Sequence, residues 1–237
     1  MTEYVVGVDG CRGGWLACVY TLEPKAVKLK VFPTFKELLC ELSTSGHIAI
    51  DIPIGLPNDA MPRACDVEAR TFIGPRRSSV FPTPPRCLLS CETIEEAREI
   101  SLDRFQRSIS NQAFAIMPKI KEVDTEIAPE TQDRVFEVHP EVCFREMARR
   151  ALENAKRSQD GYNERREIVK ERMGLDLPDV QHWRKSYCLE GDRVQRDDVL
   201  DAIAAAWTAR RKLEKKSRTI PTTPQKDERG LRMEIVI

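Results

Sequence analysis

Residues 4–20, YVVGVDGCRGGWLACVY, decide the fold. Two apolar runs, Tyr4–Asp9 and Trp15–Tyr20, flank a glycine-rich segment that begins at Asp9-Gly10, and Asp-Gly is a strong signal for a tight turn between strands. The pattern predicts an antiparallel pair of buried strands. It also places the carboxylate of Asp9 at the end of the first strand, where its charge needs a partner.

The segments that follow predict an α/β order. Val27–Phe32 is typical of a third strand, and a capping box at Thr34-Phe35-Lys36-Glu37 predicts a helix that ends near Leu42. His47–Asp51 is the next apolar run, and it also ends in an aspartate. We therefore expect a three-strand meander, one helix, and a fourth strand that returns to the sheet.

The rest of the chain predicts mostly helices. We expect a single domain over residues 1–237, with a largely helical and loop-like insert at about residues 55–130 between the fourth and fifth strands. The predicted elements are helices at 62–72, 93–109, 141–155, 163–173 and 197–213, strands at 135–138 and 233–236, and a stiff proline-rich loop at 74–85.

Composition excludes several classes of protein. The 38 Lys and Arg residues balance the 38 Asp and Glu residues, so no net field draws the whole chain to polyanions. The 8 cysteines show neither a disulfide framework nor zinc spacing. No secretory signal and no apolar run of bilayer length is visible, so we expect a reduced, soluble, cytoplasmic protein without membrane partners.

Four aspartates are candidates for one metal site. Asp9 and Asp51 each end an apolar run, and Asp198 and Asp201 lie three residues apart on the predicted last helix, where they share a face. Carboxylates on two strand ends and one helix face could hold one or two hard divalent ions.

Each of these aspartates also has a simpler interpretation. Asp9 could belong only to the hairpin turn, Asp51 could be an ordinary turn residue, and Asp198 could be a first-turn acid that favours the helix dipole. Asp201 is harder to explain in this way, because it lies one turn inside the helix among apolar residues.

Glu137 and His139 form a further candidate pair. If both lie on the short strand predicted at 135–138 and its continuation, their side chains point to the same face. They could then complete the metal site or act as a general base, although two polar residues on a solvated strand face would look the same.

Several motifs resemble one known family. They are Val8-Asp9-Gly10-Cys11 with Gly13-Gly14-Trp15, Ile50-Asp51-Ile52-Pro53-Ile54-Gly55-Leu56-Pro57, Arg63-x-Cys65-Asp66 with Ala69-Arg70, Arg77-Ser78-Ser79-Val80-Phe81, Gln112, Lys119-Ile120, Glu137-Val138-His139-Pro140-Glu141, and Asp197-Asp198-x-x-Asp201-Ala202. In this order they resemble domain-of-unknown-function family 429, which is described as predicted ribonuclease H-like nucleases. The acidic layout is also similar to that of ribonuclease H-like Holliday-junction resolvases.

The resemblance implies a fold and a reaction. The fold would be a ribonuclease H-like three-layer α/β fold with a mixed central sheet and helices on both faces. The reaction would be phosphodiester hydrolysis with two Mg²⁺ or Mn²⁺ ions about 4 Å apart, on DNA or RNA, by a chain that could form a homodimer. The resemblance places Asp9, Asp51, Asp198 and Asp201 as catalytic groups and metal ligands. Glu137 is a further candidate catalytic residue, and Lys119 and His139 are candidate substrate contacts. Arg70, Arg76 and Arg77 could contact the phosphates of a substrate, although a proline-rich surface loop explains them equally well.

Two other functions remain open from the sequence. Sugar kinases and actin-like ATPases also carry an Asp-Gly turn between two strands, which binds phosphate through backbone N–H groups. Such proteins need a second phosphate turn, and none is visible in 237 residues. The other alternative is a binding module that keeps the fold without catalysis, although packed carboxylates without a metal would repel one another.

Overall fold

The computed structural model describes residues 3–58, 62–177, 182 and 194–237. Within these residues the protein is an α/β structure built on a mixed five-stranded sheet. The sheet strands are β1 (Tyr4–Cys11), β2 (Gly14–Thr21), β3 (Ala26–Phe32), β4 (Ile48–Ile50) and β5 (Val135–Glu137), and a separate pair comprises β6 (Thr219–Lys226) and β7 (Arg232–Val236). The helices are α1 (Phe35–Glu41), α2 (Ala64–Ile73), α3 (Ile94–Phe105), α4 (Asn111–Glu126), α5 (Pro140–Ala148), α6 (Gln159–Met173) and α7 (Arg196–Leu213).

The sheet order is β3-β2-β1-β4-β5. The first three strands form the expected antiparallel meander, and β4 and β5 run parallel to β1. This order puts the carboxyl ends of β1, β4 and β5 next to one another at one edge of the sheet. Residues that follow these strands are therefore neighbours in space although they are distant in sequence.

Helices pack on both faces of the sheet. On one face, α5, α6 and α7 bury a core that includes Phe144, Val169 and Ile203. On the other face, α1 and α4 bury a second core that includes Phe35 and Ile120. A smaller third core joins α2 to the β6–β7 pair.

The closest contact between the sheet and a helix is made at Gly7. A Cβ atom on Gly7 would lie 2.0 Å from the carbonyl oxygen of Ala202 and 2.1 Å from the amide nitrogen of Ala206. Ala202 and Ala206 are fully buried small residues on one face of α7. Because neither side carries bulk at this point, the backbone of α7 lies directly on the backbone of β1.

The structure confirms most of the predicted elements and corrects several bounds. Helix α5 ends at Ala148 instead of near 155, and α6 begins at Gln159, earlier than expected. Strand β5 ends at Glu137, so the expectation that His139 shares the strand with Glu137 is wrong. The reason is Pro140 at the first turn of α5, which makes His139 the residue that precedes the helix.

Two elements were not predicted. Helix α4 contains Pro118, a residue that disfavours a helix interior, yet its apolar residues Met117, Ile120 and Val123 are buried in the core. Strand β6 carries two prolines in a polar context and is paired with β7. Part of the predicted proline-rich loop forms a 3₁₀ helix, Gly74–Ser79.

Two further findings for the described residues concern membrane-spanning helices and disulfide bonds. No helix among them is long and apolar enough to cross a lipid bilayer. The seven cysteines that the structure describes are all free thiols.

The contact at Gly7 leads to a test of packing. Gly7→Ala should destabilise the protein by about 3 kcal/mol, because the new methyl group can be accommodated only if α7 moves off β1. The free energy of unfolding is measured by urea titration. Gly46→Ala is the matched control, since its methyl group would meet nothing closer than 3.6 Å. Equal stability of the two variants would contradict this account of the packing.

Candidate functional site

The ends of β1 and β4 bring Asp9 and Asp51 together. Val8 pairs with Ile50 in the parallel ladder, and the amide of Asp51 donates to the carbonyl of Val8 over 2.9 Å. Asp9 is buried, and its Oδ1 accepts a hydrogen bond from the amide of Gly10 at 2.8 Å. The backbone pairing therefore fixes two carboxylates side by side at the edge of the sheet.

Helix α7 adds Asp198 and Asp201 to the same place. Asp198 Oδ2 accepts a hydrogen bond from the amide of the N-cap residue Gln195 at 2.8 Å, and Asp198 lies in the first turn of α7, as the simpler interpretation of the sequence also allowed. Asp201 lies one turn further along and is only 2% exposed. The tight packing of α7 on β1 is what holds Asp201 against Asp9.

One lysine neutralises part of this charge. Lys156 lies in the segment between α5 and α6, and its Nζ is 2.6 Å from Asp201 Oδ2 and 3.9 Å from Asp197 Oδ2. Burial acts against the ammonium charge, but Asp201, Asp9 and Asp51 more than offset this effect, so the pKa of Lys156 is raised. Lys156 is a permanent cation at the site.

The carboxylates disfavour one another's charge. Burial raises the pKa of Asp9 well above its usual range, and the neighbouring Asp51, Asp201 and Asp198 raise it further. Burial likewise raises the pKa of Asp201 to about 7, with Lys156 opposing the shift. Burial also raises the pKa of Asp198 to about 6. The site holds more negative charge than one lysine can compensate.

A cavity of about 240 Å³ opens beside these residues and is lined by Asp51, Asp201, Lys156, His139 and Glu141 among others. Four buried polar atoms of its lining residues have no hydrogen-bond partner, namely Asp201 Oδ1, Glu141 Oε2, His139 Nδ1 and Thr83 Oγ1. Buried polar atoms are almost always paired in proteins. Unpaired oxygens of two acids beside one cavity therefore indicate a place for a cation.

Glu137 lies on the cavity wall within a different network. Arg63 is 2% exposed and makes two hydrogen bonds of 2.7 Å to the two oxygens of Glu137, and the amide of Ile54 donates to the same carboxylate at 2.7 Å. Arg63 also binds Asp66 at 2.6 Å. Burial raises the pKa of Glu137 to about 7, and Arg63 opposes the shift. Both oxygens of Glu137 are occupied, so it anchors the insert to β5.

The predicted substrate contacts lie in three places. Arg70 and Arg77 line an open cleft of about 910 Å³ together with Arg107, and Asp66 lies between this cleft and the acidic cavity and lines both. Arg76 is on the same 3₁₀ turn but does not line the cleft.

Lys119 and His139 approach the site from other directions. Lys119 donates to the carbonyl of Gly14 at 2.5 Å and lies 4.3 Å from the centre of the Trp15 ring, so it covers the β1–β2 turn. His139 lines the acidic cavity, and its Nε2 is 3.3 Å from the carbonyl oxygen of Ser79.

The chemistry of the acidic site suits Mg²⁺ or Mn²⁺, which prefer carboxylate oxygens. In the part of the chain that the structure describes, no three His, Cys, Asp or Glu side chains already stand at the spacing of metal ligands. The contact between Lys156 and Asp201 is one reason for the lack of a preformed ligand set, because the ammonium group occupies one carboxylate oxygen that a metal would use. The unpaired Asp201 Oδ1 and the mutual repulsion of the aspartates remain as the features that a cation would satisfy.

Three further residues of the site were not predicted as site residues, although Arg63 and Glu141 lie within the motifs that resemble the family. Lys156 lies in an irregular polar segment and meets Asp201 across 45 positions. Arg63 meets Glu137 across 74 positions, and Glu141 looks like an ordinary first-turn acid of α5. Motifs within one short segment cannot reveal such pairs, because the pairs arise only when the insert folds back on the sheet.

The fold and site define an α/β protein with a mixed sheet and a buried carboxylate cluster at the carboxyl ends of its parallel strands. The chain belongs to the family described as "Protein of unknown function (DUF429)", whose model matches residues 7–226. No curated protein and no solved structure matches the chain.

The Arg63 network leads to a prediction about stability. Arg63→Met should lower the free energy of unfolding by about 3–5 kcal/mol, because it leaves Glu137 and Asp66 buried without their counter-charge. Arg12→Met, at an exposed position, is the control and should cost little. Chemical denaturation of both variants makes the comparison. A small effect at Arg63 would mean that the network does not anchor the insert.

The repulsion between the aspartates leads to a second prediction. In the presence of a chelator, Asp9→Asn should raise the free energy of unfolding by about 1–2 kcal/mol near neutral pH, because the folded wild type holds an ionisable group whose pKa is raised. The gain should shrink as the pH falls through about 4, the pKa of an unfolded aspartate, because the carboxyl then becomes protonated in both states. Asp103→Asn, on the exposed surface of α3, should change nothing. Destabilisation by Asp9→Asn would show that neighbouring groups already balance the negative charge of Asp9 in the folded wild type.

Proposed function

We propose that this protein is a metal-dependent phosphoryl hydrolase that cleaves phosphodiester bonds, most simply those of a nucleic acid. The observation that carries the proposal is the cluster of Asp9, Asp51, Asp198 and Asp201, of which Asp9 and Asp201 are buried and Asp198 and Asp51 half-buried. Asp51 and Asp201 line the cavity, and Asp201 Oδ1 is unpaired there. Burial and mutual repulsion both disfavour the ionised carboxylates, and a divalent cation would offset both effects. Perturbed pKa values of this kind are concentrated at functional sites.

Four residues would hold the metal. They are Asp9 at the end of β1, Asp51 at the end of β4, and Asp198 and Asp201 on α7. A bound Mg²⁺ or Mn²⁺ ion would lower the pKa of a water molecule and offset the charge of the phosphate. The protein's own part is to hold the four carboxylates in one place, through the β1–β4 pairing and the contact of α7 with Gly7.

His139 is placed to act as the general base. If its Nε2 donates to the carbonyl of Ser79, the lone pair of Nδ1 is left without a partner. Nδ1 would take a proton from the attacking water as its oxygen bonds to phosphorus. The bond from phosphorus to the bridging oxygen breaks, and that oxygen leaves as an alcohol after it gains a proton from solvent. Glu137 is not needed for this step, because both of its carboxylate oxygens already accept hydrogen bonds from Arg63 and from the amide of Ile54.

The substrate would extend from the acidic cavity into the neighbouring cleft. Arg70, Arg77 and Arg107 give the cleft a positive lining, which suits phosphates on either side of the bond that is cleaved. Because Asp66 lines both spaces, an extended strand could pass from one to the other. The overall charge is zero, so this attraction is local.

The fold supports the same proposal at a finer level. The sheet order β3-β2-β1-β4-β5, with acids at the ends of β1 and β4 and on the last helix, resembles the layout of ribonuclease H-like resolvases. We therefore propose a ribonuclease H-like fold for the whole chain and a homodimer as its working form. Free cysteines are compatible with a reducing cytoplasmic location.

Cleavage assays test the function. Wild-type protein with Mn²⁺ or Mg²⁺ is incubated with a labelled four-way DNA junction, single-stranded DNA, single-stranded RNA, and the chromogenic diester bis(p-nitrophenyl) phosphate. We expect cleavage of at least one of these that a chelator abolishes. Asp9→Asn and Asp198→Asn should each reduce the rate by about 100-fold or more, because each removes a charged ligand.

The control for these assays is Asp103→Asn, which should keep the wild-type rate. The proposal fails if Asp9→Asn and Asp198→Asn leave metal affinity and every cleavage rate unchanged. A His139→Gln variant separates the role of the base from that of the metal, since it should lose rate but retain metal binding.

A further inference from the structure

Lys156 brings a positive charge into the acidic site. Its Nζ is 2.6 Å from Asp201 Oδ2, and it lines the acidic cavity together with Asp51. The other oxygen of the same carboxylate, Asp201 Oδ1, is buried and has no partner. One carboxylate therefore offers one oxygen to the lysine and keeps one oxygen unused.

The position of Lys156 is fixed by the backbone on both sides of it. The amide of Ser158 donates to the carbonyl of Ala155 at 2.9 Å, and Gly161 packs so closely on that carbonyl that a Cβ atom would lie 1.8 Å from its oxygen. Arg196, at the start of α7, donates to the carbonyl of Arg157 at 2.7 Å. The segment that carries the lysine is thus tied to α6 and to the helix that carries Asp201.

We infer that Lys156 permanently occupies one of the two cation positions of this site, so that the site binds a single divalent ion on the side of Asp201 Oδ1. This inference rests on the proposed metal-dependent function and refines the expectation of two ions. A second divalent ion on Asp201 Oδ2 would have to displace an ammonium group whose backbone is held in place.

The count of charges agrees with one ion. The four carboxylates of Asp9, Asp51, Asp198 and Asp201 carry four negative charges when ionised, and Lys156 contributes one positive charge. One divalent ion leaves a net charge of about −1, whereas two would make the site positive. In the reaction, the ammonium of Lys156 would face the phosphate as the second positive group, without the need for another metal.

A titration of Mn²⁺ tests the inference directly. Isothermal calorimetry is run on wild type, Lys156→Met and Arg157→Met, with and without an excess of dimethyl phosphate as a simple diester. Arg157 is the matched control, because it is the neighbouring cation and its side chain is 89% exposed. We expect one ion per chain for wild type and Arg157→Met, and two ions for Lys156→Met. The first ion should also bind Lys156→Met about tenfold more tightly, since Asp201 is no longer shared.

Two sets of results overturn the inference. Two ions in wild type, or the same number in wild type and Lys156→Met, would show that Lys156 does not occupy a cation position. Asp9→Asn separates this failure from that of the proposed function. Suppose that wild type binds two ions and that Asp9→Asn binds one fewer. The proposed metal site is then supported, and only the inferred role of Lys156 is wrong. No uptake by wild type, even with the diester, overturns both.

A second measurement guards against misfolding of the variant. Circular dichroism confirms that Lys156→Met is folded, and the electron paramagnetic resonance of bound Mn²⁺ shows whether its two ions are close. Ions about 4 Å apart interact magnetically, and the single ion of wild type does not show this effect. Two ions that do not interact would lie at separate sites and would contradict the inference.

Discussion

The absence of a side chain at Gly7 is the constraint on which the site depends. It lets α7 lie on β1 with the backbone of Ala202 and Ala206 in direct contact with the strand. Asp201 follows from this contact, because it is the residue before Ala202 on the same helix. Any movement of α7 away from the sheet would separate Asp201 and Asp198 from Asp9 and Asp51. The packing of one glycine thus determines whether four carboxylates form a single site.

A second constraint holds the wall of the cavity. Arg63 joins the start of the insert to Glu137 on β5 and to the carbonyls of Ile54 and Gly55. The C-terminal strand pair closes the same region, since the amide of Leu56 donates to Asp227 at 3.1 Å and Arg86 forms an ion pair with Asp227. Buried ion pairs of this kind add little net stability, but an arrangement that separates the two charges is strongly disfavoured. We therefore expect these pairs to hold the cavity wall in place around an acidic cluster that itself lowers the stability of the fold.

The sequence predicted those parts of the structure that depend on local patterns. The meander, α1, β4 and α7 have clear periodicity and caps, and two strand ends that carry aspartate predict neighbouring acids because parallel strands end at one edge. The pattern did not reveal α4, which has Pro118 in its interior, or β6, which carries two prolines. It could not reveal that Lys156 pairs with Asp201 or Arg63 with Glu137, because these partners lie 45 and 74 positions apart and nothing in the local sequence encodes a pairing of that range.

The contact between β1 and α7 also determines when the site can form during synthesis. Strand β1 is translated long before the helix that covers it, which includes Ala202 and Ala206. Such long-range contacts form late in folding and set its pace. A nascent chain therefore carries Asp9 and Asp51 without their helical partners. The four carboxylates therefore come together only after α7 has been synthesised and has packed on β1.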